Sequence, residues 1–314
     1  MMKTALPAAV IQQSTDAVLM IRPCRFYPNP ETAADNSFQE QAASEVADVS
    51  AVAREEFDRT VVALRDAGVT VHVAEDTPSP EKPDAVFPNN WMSTHHDGRV
   101  ALYPMYSPLR RRERRSDVID ELRKSYRITE VIDYSAEENE GRFLEGTGSL
   151  VLDHVNKIAY VSLSRRAHPK PLQRFCADFG YEAVTFTSLG DDGRPIYHTN
   201  VVMCVAAQFA LVALEIIPDQ MERETLRARL ESTGKEMIEL TRQQIANFAG
   251  NAIELHNSSE KLLVLSARAI PVLSRQERET IERFARLVPL ELPTIELAGG
   301  SARCMIATIH LPPL

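Results

Sequence analysis

One order of elements recurs along this chain: strand, strand, long amphipathic helix, strand. In the first unit a strand at residues 16–21 precedes a helix at 36–67 and a strand at 69–74. The second has strands at 85–87 and 100–103, a helix at 108–125 and a strand at 128–132. Strands at 148–152 and 157–163, a helix at 169–179 and a strand at 181–187 form the third. The fourth has strands at 200–205 and 209–216, a helical region at 220–248 interrupted near Gly234, and a closing strand at 252–255. The fifth has a strand at 262–266, a helix at 274–285 and closing strands at 294–297 and 306–309. The units share element order and not residue identity. Such a repeat implies a closed, radially repeated α/β architecture, with loops from several units meeting at a central axis.

Local signals support these elements. Ser274 and Glu277 have the spacing of a capping box. Pro218-Asp219 opens the fourth helical region in a similar way. The strand at 157–163 contains β-branched and aromatic residues. The Pro-rich stretch 77–83 reads as a loop, and no low-complexity linker divides the chain. Its 314 residues are enough for one large domain or two ordinary ones.

Composition narrows the function. An apolar fraction of 44% and a charged fraction of 25% are those of a soluble globular protein. No apolar run is long enough to span a membrane. The opening Met1-Met2-Lys3-Thr4-Ala5-Leu6-Pro7 has no sustained apolar core, so no secretory leader is expected. The net charge of −9 argues against nucleic acid as a partner. Cys24, Cys176, Cys204 and Cys304 form no CxxC pair, which disfavours a structural metal and makes reduced thiols in a cytoplasm the expectation. His95-His96-Asp97 is a poor metal site, because adjacent side chains on a strand point apart. The basic run Arg110-Arg111-Arg112-Glu113-Arg114-Arg115 reads as a solvated helix face.

The chemistry concentrates at strand entrances. Cys304 follows the flexible turn Gly299-Gly300-Ser301-Ala302-Arg303. Arg303 supplies a neighbouring positive charge that would help hold a thiolate. A small buried residue at a strand start is the plainer reading, and the motif alone leaves both open. A nucleophilic thiol needs a base, usually a histidine oriented by a carboxylate. His198 lies after a Gly/Asp-rich loop and directly before an apolar strand, where either an acid/base or a surface histidine fits. Glu145 is wedged into Phe143-Leu144-Glu145-Gly146-Thr147-Gly148, as a loop carboxylate or one directed at a substrate. Asp84-Ala85-Val86-Phe87-Pro88-Asn89-Asn90-Trp91 offers polar groups beside the only tryptophan. It reads as self-capping turns or as the floor of a pocket for a planar, hydrogen-bonding ligand.

The order of these motifs resembles the guanidine-modifying enzymes of the pentein superfamily, the arginine deiminase and dimethylarginine dimethylaminohydrolase group. Pro83-Asp84-Ala85-Val86-Phe87 comes first. Glu145-Gly146-Thr147-Gly148, Ser164-Arg165-Arg166 and His198-Thr199-Asn200 follow, and the Gly-Gly-Ser-Ala-Arg-Cys-Met ending closes the series. The Phe-Pro-Asn-Asn-Trp segment and that ending are similar to the subgroup called arginine deiminase-related or citrulline-utilisation hydrolases. The resemblance runs from about residue 16 to 312. It implies one catalytic domain over 1–314, a five-bladed ββαβ propeller with pseudo-fivefold symmetry and an active site at the central axis. It also implies Cys304 as nucleophile, His198 as general acid/base and Glu145 as the carboxylate that holds the histidine or the guanidine nitrogens. Asp84, Asn89, Asn90, Asn200 and Arg303 become substrate contacts, as does Arg166 (with Arg165 as its alternative) at the substrate carboxylate. No metal or organic cofactor is implied. Assembly into a homo-oligomer stays open.

Two departures bear on the substrate. Asn90 and Asn200 stand where the deiminases carry aspartates. A guanidinium has only donors and favours carboxylates, whereas an amide both donates and accepts. The expected substrate is therefore a guanidino or ureido amino acid, with citrulline-like compounds or double hydrolysis of an amidine in view. An amidinotransferase, or a non-catalytic binding protein on the same scaffold, is the rival expectation.

Overall fold

A computed structural model describes residues 11–42 and 44–314. The expectation about a leader at residues 1–10 lies outside them. The fold is mixed α/β, with five three-stranded sheets of one design. In each, the middle strand runs antiparallel to the first and parallel to the third. The sheets comprise Met92–Thr94, Arg99–Leu102 and Glu130–Asp133; Val151–Asp153, Ile158–Ser162 and Glu182–Phe186; Met203–Val205, Phe209–Val212 and Glu236–Glu239; and Ile253–His256, Lys261–Ser266 and Arg286–Leu290. The remaining sheet joins Ala307–Thr308 to Ala17–Arg22 and Thr70–Glu75, so the end of the chain completes the first sheet.

A parallel pair needs a crossover, and a helix provides it in every sheet. These helices are Val46–Asp66, Ser116–Leu122, Pro169–Phe179, Gln220–Ser232 and Arg275–Glu282. Val49, Ala53, Phe57, Val61 and Leu64 recur at helical spacing and face the core from the first. Ser274 and Glu277 form the expected capping box, and Asp219 caps the fourth helix through Glu222 N–H. The middle strands are almost wholly buried, as apolar runs such as Ile158–Ser162 require. Leu211, Leu263 and Leu265 have no exposed surface and pack in one core cluster. Truncating any of them to alanine would cost about 2–5 kcal/mol. No helix among the described residues is long and apolar enough to cross a membrane.

Several boundaries differ from the sequence expectation. The first helix starts at Val46, whereas residues 36–42 are turn and irregular chain, with Asn36 lining the site. The interruption near Gly234 is a real break, where Gly234 takes a φ of 75°. Glu236–Glu239 beyond it is a strand, paired with Phe209–Val212. Residues 252–255 consequently open the fifth sheet and do not close the fourth. Residues 294–297 form no strand, because Ile295–Ala298 is a 3-10 turn stopped by left-handed Gly299. Residues 85–87 and 148–149 are turn and helix, so the first strands of their sheets begin later.

One relation positions the site. A polar residue or pair sits just before the first strand of every sheet. Asn90 precedes Met92–Thr94, and Glu145 precedes Val151–Asp153. His198 and Asn200 precede Met203–Val205, Asn251 precedes Ile253–His256, and Cys304 precedes Ala307–Thr308. The short helix Gly146–Ser149 packs against both Pro88–Asn90 and Thr199–Val202 there.

Candidate active site

Cys304, His198, Asp84, Asn90, Arg110 and Arg166 line one small cavity, together with Phe87, Tyr197 and the backbone turn at Gly300. Thr32 and Asn36 close over it. Its free volume is ≈ 20 Å³, room for about one water molecule.

Cys304 is buried, and the turn that presents it is fixed by its own N–H donating to Ser301 O at 2.9 Å. Gly300 has to be small there, because a Cβ would meet the Phe87 ring at 2.9 Å. Two amides point at the sulfur: Asn251 Nδ2 donates to Sγ at 3.3 Å and Asn200 Nδ2 at 3.5 Å. Asn251 is itself pinned, since Nδ2 also donates to Asn200 O and Oδ1 accepts Arg303 N–H, both at 3.0 Å.

His198 Nε2 lies 2.8 Å from Glu145 Oε2. Its ring packs on Gly148, where a Cβ would lie 2.8 Å from Cε1 and Nδ1. Burial opposes the charge of Glu145, but Arg166, the His198 hydrogen bond and Arg110 outweigh it and hold the carboxyl down at about 2. Burial, helped by Arg166 and Arg110, pushes His198 down to about 4 against the pull of Glu145. The pair is therefore an ionised carboxylate beside a neutral imidazole. Glu145 Oε1 accepts Tyr106 N–H at 2.9 Å, which fixes the plane of the carboxylate.

A second group of charges lies across the cavity. Arg110 pairs in a fork with Glu113 at 2.9 and 3.0 Å. It also donates to Asn90 Oδ1 at 2.9 Å and lies 3.5 Å from Asp84 and 3.7 Å from Glu145. Burial pushes the Asp84 and Glu113 carboxyls up, against the pull of Arg110. Asp84 Oδ2 accepts Asn29 Nδ2 at 2.8 Å. Asn90 Nδ2 is buried without a partner. The Arg166 guanidinium lies 4.6 Å from the Tyr197 ring centre and 3.7 Å from Glu145.

The structure thus gathers Cys304, His198, Glu145, Asp84, Asn90, Asn200 and Arg166. It does not bring in three others. Arg165 is turned outward, donating to Tyr106 Oη at 3.0 Å. The Asn89 side chain is buried outside the cavity, and its carbonyl accepts the Thr147 hydroxyl at 3.2 Å. Arg303 lines a different cavity and donates to Ile306 O at 2.8 Å. Consecutive residues of the turn point opposite ways, so Arg303 cannot share the Cys304 pocket.

Sequence reasoning missed Arg110, Asn251, Asn29 and Asp35. Arg110 was hidden in a basic run that reads as surface, yet it is 3% exposed. Its signal was Glu113 three residues on, one helical step away on the same face. Asn251 holds the same place before its strand as Asn200 does before its own, which a correct register of the fifth unit would have shown.

The chain matches the family described as N,N dimethylarginine dimethylhydrolase, eukaryotic, over residues 22–311, and belongs to it. Solved structures similar to it are pentein enzymes. The N-terminal domain of ArgZ, a cyanobacterial arginine dihydrolase, was solved with its substrate bound. It is 17% identical with a TM-score of 0.72, covering 95% of this chain and 99% of that one. Unliganded AgrE is 17% identical with a TM-score of 0.74, covering 94% of this chain and 39% of the longer AgrE chain. A dimethylarginine dimethylaminohydrolase adduct with S-methyl-L-thiocitrulline is 15% identical with a TM-score of 0.62, covering 93% and 98%. At these identities the likeness is one of fold. No curated protein matches the sequence.

Proposed function

We propose that this chain is a cysteine-dependent hydrolase of C–N bonds in a guanidino or ureido amino acid. The observation that carries the proposal is the Glu145–His198 pair, whose imidazole lines one small cavity with Cys304. The five like sheets and the family match over residues 22–311 support a single catalytic domain built as a ββαβ propeller, with this cavity on its axis.

In this reading the neutral His198 takes the proton of the Cys304 thiol, and the thiolate attacks the central carbon of the substrate. Asn251 and Asn200 hold the sulfur in line. Glu145 stabilises the imidazolium that forms, which then protonates the departing amine as the C–N bond breaks. A covalent thiouronium remains, or an S-carbamoyl group when the substrate is a ureido compound. His198 next takes a proton from water, the hydroxide adds to the same carbon, and the C–S bond breaks as His198 returns that proton to the sulfur. Every proton moved passes through His198, which ends neutral. Arg166 and Arg110 meet the substrate carboxylate, and Asp84 meets its ammonium.

The unpartnered Asn90 Nδ2 supports activity on a ureido oxygen as well as on a guanidinium. Release of ammonia from arginine and citrulline, and of ammonia or methylated amine from methylated arginine, each measured with wild type and Cys304→Ser, tests this reading. Turnover of at least one, lost in the variant, is expected. No release from any of them, or equal rates in the variant, would overturn it.

A further inference from the structure

Arg303 and Cys304 are consecutive, yet they face different cavities. The Arg303 cavity has a free volume of ≈ 40 Å³, room for two or three waters or one small ion. Strand residues Cys204, Glu254 and Thr308 line it, with His154 and His310 just beyond the ends of their strands.

The cation in this cavity is unbalanced. The two buried arginines of the active site each touch carboxylates, Arg110 through Glu113 and Arg166 through Asp35. Arg303 makes one side-chain hydrogen bond, to Ile306 O, and no ion pair with any described residue. Arg303 is half-buried, and that burial works against its charge. Glu254 shares the cavity but is engaged elsewhere. Its oxygens accept Ala207 N–H at 3.3 Å, and Lys261 and Lys235 offset its charge.

Other polar groups converge on the same space. His154 and His310 lie with ring centres 4.1 Å apart and their planes tilted by 41°. His310 is 6% exposed, and its Nδ1 is buried without a hydrogen-bond partner. His154 Nδ1 is taken up by the Tyr181 hydroxyl at 2.9 Å, which leaves Nε2 as its second polar atom. Burial keeps both imidazoles neutral, and a neutral imidazole offers one N–H donor. No three His, Cys, Asp or Glu side chains among the described residues are arranged to hold a metal ion. An unpaired, half-buried guanidinium beside neutral donors in a small cavity is the chemistry of anion capture.

We propose that the Arg303 cavity binds one small monovalent anion, a halide or a planar oxyanion of the size of nitrate or bicarbonate, held by Arg303 with His154 and His310. The anion sits directly behind the turn that carries the nucleophile.

Crystals of the full chain grown in sodium bromide, measured at the bromine absorption edge, test this directly. One anomalous peak in the cavity beside Arg303 is expected. In solution at constant ionic strength, replacing gluconate, too large for the cavity, by bromide or nitrate should raise Tm, and above Kd the rise should grow with the logarithm of anion concentration. The rise should be about 4 °C at a hundredfold excess over Kd, and Arg303→Met should abolish it. Bromide on the surface only, as an adventitious ion, or water alone in the cavity would overturn the proposal. So would a Tm rise that persists in Arg303→Met. If that variant does not fold, the wild-type bromide map decides alone.

Discussion

Asp35 grips Arg166 in a two-point contact, Oδ2 to Nε at 3.1 Å and Oδ1 to Nη2 at 2.6 Å. Six residues earlier in the same segment, Asn29 places its amide N–H on Asp84. The segment thus lays a carboxylate on one candidate substrate anchor and an N–H donor on another. Those are the two polarities of a free amino acid's head group, and the cavity beneath has no room for a substrate until they part. Asp35→Asn removes the internal competitor for Arg166. KM for arginine or citrulline is expected to fall about tenfold, equivalent to about 1.4 kcal/mol. KM for agmatine, which has no carboxylate, should stay unchanged. A raised KM for arginine would show that Asp35 positions Arg166 for substrate and does not compete with it.

The protonation state of His198 sets the acid limit of activity. Its pKa is pushed down to about 4, so the imidazole is neutral and able to accept a proton across neutral pH. Protonation on the way down to about 4 removes the base, while Glu145, at about 2, remains ionised. The acid limb of kcat/KM should therefore have its midpoint near 4 and not near the ordinary histidine value of about 6.5. The same depression affects stability. An unfolded chain takes up a proton at His198 as pH falls through about 6.5, whereas the folded chain resists until about 4. This group's contribution is intact above that window and shrinks as pH falls across it. A pH–rate profile and urea melts at several pH values measure the two effects separately.

Cys304→Ala should lower turnover by about 10⁴-fold or more while leaving the far-UV spectrum and Tm close to wild type, because only a small buried group is lost. Alkylation by a haloacetamidine should add one mass increment to wild type, none to the variant, and less when substrate is present. Modification at Cys24 or Cys176 instead, with Cys304 untouched, would count against the nucleophile assignment.

Much of this site could be read from the chain, for a physical reason. Cys304, His198 and Glu145 each sit at the entrance of a strand, where a short apolar run makes the preceding polar residue conspicuous. What escaped depends on the ring as a whole. Arg110 has the local sequence of a surface helix, yet it is buried where Asp84 and Glu145, from separate segments, converge on it beside its neighbour Glu113. Arg303 looked like a partner of Cys304 because the two are adjacent, but the turn sends their side chains into different cavities. Glu236–Glu239 has helix-forming residues and becomes a strand because Phe209–Val212 offers it a parallel edge. In each case a contact distant in sequence overrode the local signal.

Arg110 should be the most stability-sensitive charge in the site. Arg110→Met leaves Glu113 buried and unpaired, with Asp84 and Glu145 close by. Breaking such a pair from one side costs about 3–5 kcal/mol. The double change Arg110→Met with Glu113→Leu should recover part of that loss, because the orphaned carboxylate goes too. Urea denaturation of the two variants distinguishes a structural charge pair from a residue that only binds substrate, whose loss would leave the midpoint unmoved.

Asn90 is the residue most able to decide between guanidino and ureido chemistry. Its Oδ1 is committed to Arg110 at 2.9 Å, while its Nδ2 is buried without a partner beside the cavity. A free N–H donor suits the oxygen of a ureido group, or the oxyanion that forms when water attacks a covalent intermediate. Asn90→Asp keeps the acceptor for Arg110 but exchanges the donor for a further acceptor and a negative charge. Turnover of citrulline should then fall by about 10²-fold or more, the scale of losing one oxyanion donor. Turnover of arginine should persist, with citrulline accumulating as product. Chromatographic quantitation of citrulline and ornithine from arginine separates the outcomes. Unchanged citrulline turnover in Asn90→Asp would remove the amide from any part in selecting the substrate.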